Sequence, residues 1–84
     1  MILKMYCIRD RATDSFGNPM FMVSDGQAIR SFTDEVNRAD KDNNLYAHPD
    51  DFDLYVLGEY DSASAKFTSS GPVMLLVGKS AAIR

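Results

Sequence analysis

The sequence predicts an α+β fold: a small antiparallel sheet of three to five strands, with one main helix over about residues 24–38 packed on one face. Two periodicities and a set of turn formers carry that expectation. From Asp51 to Tyr60 the chain alternates, with Phe52, Leu54, Val56 and Tyr60 pointing one way and Asp53, Tyr55, Leu57 and Glu59 the other, as in a strand with one buried face. Behind Ser24, the apolar positions Ala28, Ile29, Phe32, Val36 and Ala39 recur at helical spacing. Clusters of Gly, Pro, Asp, Asn and Ser separate these segments.

Ile2 to Arg9 reads as the first strand. Ile2, Lys4, Tyr6 and Ile8 alternate with Leu3, Met5, Cys7 and Arg9, and both rows are largely apolar. Such a strand is covered on both sides or turns its second face to a partner subunit. Asp10 to Asn18 is a long polar hairpin connection, with turn formers at Asp14-Ser15 and Gly17-Asn18-Pro19, and Pro19 to Val23 is the second strand.

Ser24-Asp25-Gly26-Gln27 has capping-box spacing, in which Ser24 accepts from the Gln27 amide and Gln27 reaches back to Ser24. Arg30 with Asp34, and Asp34 with Arg38, add pairs four residues apart on the wet side of the helix. Asp40 to Ala47 is a polar return loop, with Leu45 and Tyr46 placed to pin it.

Pro49 then marks where the central strand can begin to pair, because proline has no amide donor, and Gly58 interrupts its buried row where a bulge or close backbone contact fits. A loop at 61–65 leads to a short returning strand, Lys66 to Ser69. Pro72 to Val77 reads either as a helical turn opened by Pro72 or as a buried strand closing at Gly78; the turn is preferred, with a frayed tail after Lys79.

A chain of 84 residues is expected to be a single domain, 1–84. It buries only about 60% of the surface its unfolded form exposes, so a homo-oligomer, a dimer first, would add stability. The lone Cys7 excludes an internal disulfide and fits a reducing compartment. The longest apolar run, Val73 to Val77, is far too short for a membrane span, and the N-terminus lacks the shape of a signal peptide. The cytoplasm is the default location.

The residues nominate no reaction, cofactor or metal. His48 stands alone in a polar loop and reads as a surface residue rather than a base held against a substrate. Cys7 reads as a small core hydrophobe. The acids around Asp40–Asn44 and Asp50–Asp53 miss the spacing of a calcium loop, and the scattered glycines form no phosphate loop.

Binding fits better. Tyr6, Phe21, Tyr55 and Phe67 fall on predicted strands, and rings on an open sheet face beside Lys or Arg hold single strands without sequence preference. The competing reading places most of these rings in a core or dimer contact. The net charge of −3 argues against indiscriminate nucleic-acid binding, unless the termini gather Lys4, Arg9, Arg11, Lys79 and Arg84 into a basic patch.

Three segments carry a family resemblance: Tyr6-Cys-Ile-Arg-Asp10; Asn18-Pro-Met-Phe21 running into the helix with Phe32 and Val36-Asn37; and above all Pro49-Asp-Asp-Phe-Asp-Leu-Tyr-Val-Leu-Gly-Glu-Tyr-Asp61. In order and spacing they resemble the small non-structural protein of gokushoviruses, single-stranded DNA phages of the microvirus family. Val73 to Val77 is more apolar than that pattern. The resemblance implies a non-enzymatic, non-virion protein in the host cytoplasm. It would bind DNA, single-stranded above all, in the switch from double-stranded to single-stranded viral DNA synthesis.

On that reading Lys4, Arg9, Arg11, Arg30, Lys66 and Lys79 would meet phosphate, and Tyr6 or Tyr55 would stack on bases. A different class of function is an acidic adaptor that docks on a viral replication or capsid assembly protein and touches no DNA.

Overall fold

A computed structural model describes all 84 residues. Strand β1 (Ile2–Asp10) is followed by the short strands β2 (Ser15–Phe16) and β3 (Met20–Met22), helix α1 (Asp25–Val36), a four-residue helix α2 (Asn44–Ala47) and a 3-10 turn at Pro49–Asp51. The long strands β4 (Phe52–Asp61) and β5 (Lys66–Val77) and the four-residue helix α3 (Gly78–Ala81) complete the chain. All strand pairs are antiparallel and run in the order β2-β1-β4-β5, while β3 takes the other half of the β1 edge. The molecule is therefore mixed α+β, with a five-stranded sheet, one helix of 12 residues and two of a single turn.

The capping residues set where α1 starts. Ser24 Oγ accepts from the Gln27 amide at 3.2 Å, satisfying a donor the first turn cannot use internally. The Gln27 side chain reaches back one residue further than its spacing predicts, accepting from the amide of Val23 at 3.0 Å. The helix lays Ala28, Phe32 and Val36 on one face of the sheet, against Tyr6 and Leu54, and Ala81 of α3 closes the end of this core. Its exposed side carries Arg30 and Asp34.

Three expectations about the last strand, the tail and the face of Tyr60 are overturned. Residues 72–77 belong to β5, because Val73, Met74, Leu76 and Val77 pair with Val56, Tyr55, Leu54 and Asp53. Pairing across the sheet takes up the backbone groups that a helical turn would have bonded internally. Pro72 is tolerated because it falls where the β4–β5 register shifts, on the outermost strand.

The tail does not fray after Lys79. The Asn37 amide donates to the Ala81 carbonyl at 3.0 Å and its oxygen accepts from the Ile83 amide at 3.0 Å. Arg84 lies over the Tyr46 ring, 3.8 Å from its centroid.

The third correction concerns the direction of Tyr60. Tyr6 lies opposite Val56 but Met5 lies opposite Gly58, so Leu57 is an extra residue and the alternation of β4 inverts there. Beyond the bulge Tyr60 sits opposite Leu3 and Phe67 and shares the face of Tyr55, while Glu59 sits opposite Lys4 on the helix side. Gly58 makes the bulge possible: its φ is +155°, and a Cβ would collide with the Thr68 carbonyl oxygen.

Candidate nucleic-acid interface

Because α1 covers only one face, the opposite face of the sheet is left open, and the register decides which side chains line it. Cys7, Arg9, Asp53 and Tyr55 share it on one side of the bulge, and Met5, Tyr60 and Phe67 on the other. Phe16 of β2 and Phe21 of β3 join them from opposite Arg9 and Met5.

The rings form two clusters. Phe16 and Tyr55 meet edge to face with centroids 5.4 Å apart. Phe21 and Tyr60 are 6.0 Å apart, and Tyr60 and Phe67 are 5.0 Å apart and tilted by 43°. These are the offset geometries that aromatic quadrupoles favour. Phe16, Phe21 and Phe67 nevertheless remain 51%, 46% and 64% exposed, so ring surface is left for a ligand.

Charge on this face is arranged in pairs. The Arg9 guanidinium carbon lies 5.8 Å from the centroid of the Phe16 ring, and its Nη2 donates to Asp14 at 2.8 Å. Asp14 first, and Tyr55 after it, raise the Arg9 pKa above the ordinary arginine value. Asp53, 1% exposed, is held at 3.1 Å by Nε of Arg11, which also donates to the Asp50 carbonyl.

Of the residues the sequence nominated, Arg9, Arg11, Tyr55 and the rings Phe21 and Phe67 come to this face. Tyr6 is wholly buried, and its phenol donates to Asp25 Oδ1 at 2.6 Å, so it is not available for stacking. Burial and the Asp25 carboxylate push its pKa well above the usual tyrosine value. Lys4 is on the helix side, 3.3 Å from Asp25. Arg30 is exposed on α1 and Lys79 on α3, while Lys66 pairs with Asp61 in the register on the helix side at the far end of the sheet. No common basic patch forms.

Sequence reasoning missed Phe16 and Tyr60. Phe16 lay inside a predicted loop, and its two-residue strand is too short to show a period. Tyr60 was assigned to the wrong face by the bulge, whose only signal is Gly58.

Other chemistry-bearing groups lie apart from this face or beneath it. Cys7 is buried, which raises its thiol pKa, and His48 is exposed. A cavity of about 120 Å³ between α1 and the sheet is lined mainly by Ile8, Met20, Met22, Phe32 and Leu54. No helix is long and apolar enough to cross a membrane.

Comparison with known proteins places the chain in a family. The chain is similar to Protein ORF5 of Chlamydia phage 1, with 36% identity over 64 residues, covering 74% of this chain and 67% of that protein. No solved structure matches. The family model described as Phage ORF5 protein matches residues 3–82, which includes every strand and helix named above except the first residue of β1. The chain therefore belongs to the phage ORF5 protein family, of the gokushovirus type that its sequence resembles.

Proposed function

We propose that this phage protein is a non-enzymatic single-stranded DNA-binding protein whose open sheet face stacks bases, and that by holding single strands it regulates the switch from double-stranded to single-stranded viral DNA synthesis. The observation that carries the reading is the pair of ring clusters, Phe16–Tyr55 and Phe21–Tyr60–Phe67, with exposed Phe16, Phe21 and Phe67, on the face that α1 leaves open. Bases have apolar faces and single strands expose them, so ring stacking is worth about 1–3 kcal/mol per base without sequence readout. A duplex keeps its bases stacked on one another and offers this face little.

Phosphate attraction is a minor contributor in this reading. Arg9 and Arg11 are the cations at the face, and each already has an acidic partner in Asp14 and Asp53. The dependence of affinity on salt is accordingly shallow, with a log–log slope of roughly −0.7 to −1.4 for one or two phosphates on a single strand. The remaining expected contacts, Lys4, Arg30, Lys66 and Lys79, lie away from the face and are not part of the proposed site.

A second reading draws on the same pairing of arginines with acids: an adaptor that presents the aromatic face to a viral replication or capsid assembly protein. Fluorescence anisotropy with a labelled single-stranded oligonucleotide and a matched duplex, at low and near-physiological salt, separates the two. Single-strand preference with a shallow salt slope supports DNA stacking. Absence of binding at low salt rules it out in favour of a protein partner.

A further inference from the structure

We infer that the cavity of about 120 Å³ beneath α1 is a binding site for one small, uncharged apolar molecule the size of a single aromatic ring. The site lies on the helix side of the sheet, away from the ring clusters, and so does not rest on DNA binding.

The cavity exists because α1 is tied down at both ends and carries a small residue between them. In its first turn Asp25 accepts from the Tyr6 phenol at 2.6 Å, and at its C-cap Asn37 donates to the Ala81 carbonyl at 3.0 Å. Between these ties Ala28 turns only a methyl group toward the sheet, and the two bonds keep the helix from settling into the space that remains. Met20 and Met22 line that space from β3, on the side of the sheet they share with Tyr6 and Lys4. Ile8, Phe32 and Leu54 complete the apolar lining. Methionine is unbranched and polarizable and makes favourable contacts with ring edges, so these two side chains can adapt to an aromatic guest.

The lining selects its ligand by charge and by size. Its only polar members are Ser31 and Glu35. Glu35 is already held by Arg38 at 2.6 Å, and that guanidinium lowers its pKa, so its charge is satisfied within the helix and offers little to a second cation. Ser31 is exposed on α1, which puts the mouth of the cavity at the surface and leaves one hydroxyl there for a polar guest. A charged or strongly polar molecule would give up its water without finding partners.

Size narrows the class further. Apolar cavities of about 150 Å³ stay dry and bind benzene, and this one is of the same order. A nucleobase would bring ring nitrogens and exocyclic groups that nothing in the lining answers, and an acyl chain would leave most of its length outside.

Benzene titrated into the full chain, with carbon-13 in the methionine methyl groups, tests the site. Of the five methionines, Met20 and Met22 line the cavity, while Met1, Met5 and Met74 lie elsewhere and report non-specific binding. The Met20 and Met22 signals shift and saturate while the other three stay in place. The Tm rises with benzene concentration, because a ligand that binds only the native state stabilises it. Benzoate, the same ring carrying a charge, moves none of the five. Ala28→Leu fills the space with the chain's own side chain and weakens benzene binding by at least about tenfold, since the guest loses the apolar burial that the leucine takes over. If Ala28→Leu fails to fold, the contrast between benzene and benzoate in the wild type still decides. Benzene that leaves Met20 and Met22 unmoved up to its solubility limit overturns the proposal. So do shifts of all five methionines together, or equal shifts with benzoate.

Discussion

The phenol of Tyr6 and the carboxylate of Asp25 form a 2.6 Å hydrogen bond that ties the middle of β1 to the first turn of α1. One ring thereby fixes the helix on its side of the sheet and leaves the other side open. Tyr6→Phe keeps the packing and removes the bond. A hydrogen bond to a charged group contributes about 1.5–3 kcal/mol, and because Asp25 is partly exposed the lower end applies, about 1–2 kcal/mol, measured by urea unfolding at neutral pH.

The same bond has a pH signature. The Tyr6 hydroxyl first, and Lys4 after it, hold the Asp25 pKa below its usual value. A carboxylate whose pKa is lowered on folding stabilises the native state above its unfolded value, and that contribution is lost as pH falls through the lowered one. The stability difference between wild type and Tyr6→Phe therefore shrinks in acid. A difference that grows on acidification contradicts the assignment.

Arg11→Met leaves Asp53 buried without its 3.1 Å partner. Breaking a fully buried pair costs about 3–5 kcal/mol, and with Arg11 about half exposed the expected loss is smaller, about 1–3 kcal/mol. The double variant Arg11→Met/Asp53→Asn recovers part of it, which a double-mutant cycle in urea measures.

Gly58→Ala tests the bulge. The added Cβ meets the Thr68 carbonyl and the φ of +155° is strained for any L side chain, so a loss of about 2–4 kcal/mol is expected from calorimetric or denaturant unfolding.

Asn37→Ala releases the end of the chain. Its amide and oxygen hold Ala81 and Ile83, so amide exchange at Ile83 should rise sharply while the central strands stay protected.

Much of this was legible in the residues. The alternation of β4, the Ser24 cap and the Ala28–Phe32–Val36 stripe each reflect local rules, and they place the helix on the sheet. What escaped depended on contacts between distant segments. Val73 to Val77 is apolar throughout and so carries no period; only its partners Val56 to Asp53 decide that it is a strand. Gly58 could be marked as a possible bulge, but the flip of Tyr60 needs the pairing of β1 to count the extra residue. Tyr6 was left between a stacking ring and a core residue because alternation does not say which face a helix will cover.

The aromatic face is tested most directly by titrating a single-stranded oligothymidylate into the wild type and into Tyr60→Ser, Phe67→Ser and the double variant, with tyrosine fluorescence as the readout in a chain that has no Trp. Exposed Phe67 can be changed with little effect on the fold, which thermal unfolding verifies. Base stacking predicts a loss of about 1–3 kcal/mol per ring removed, roughly 5- to 150-fold in affinity, with the salt slope unchanged. Wild-type affinity in the double variant would contradict it.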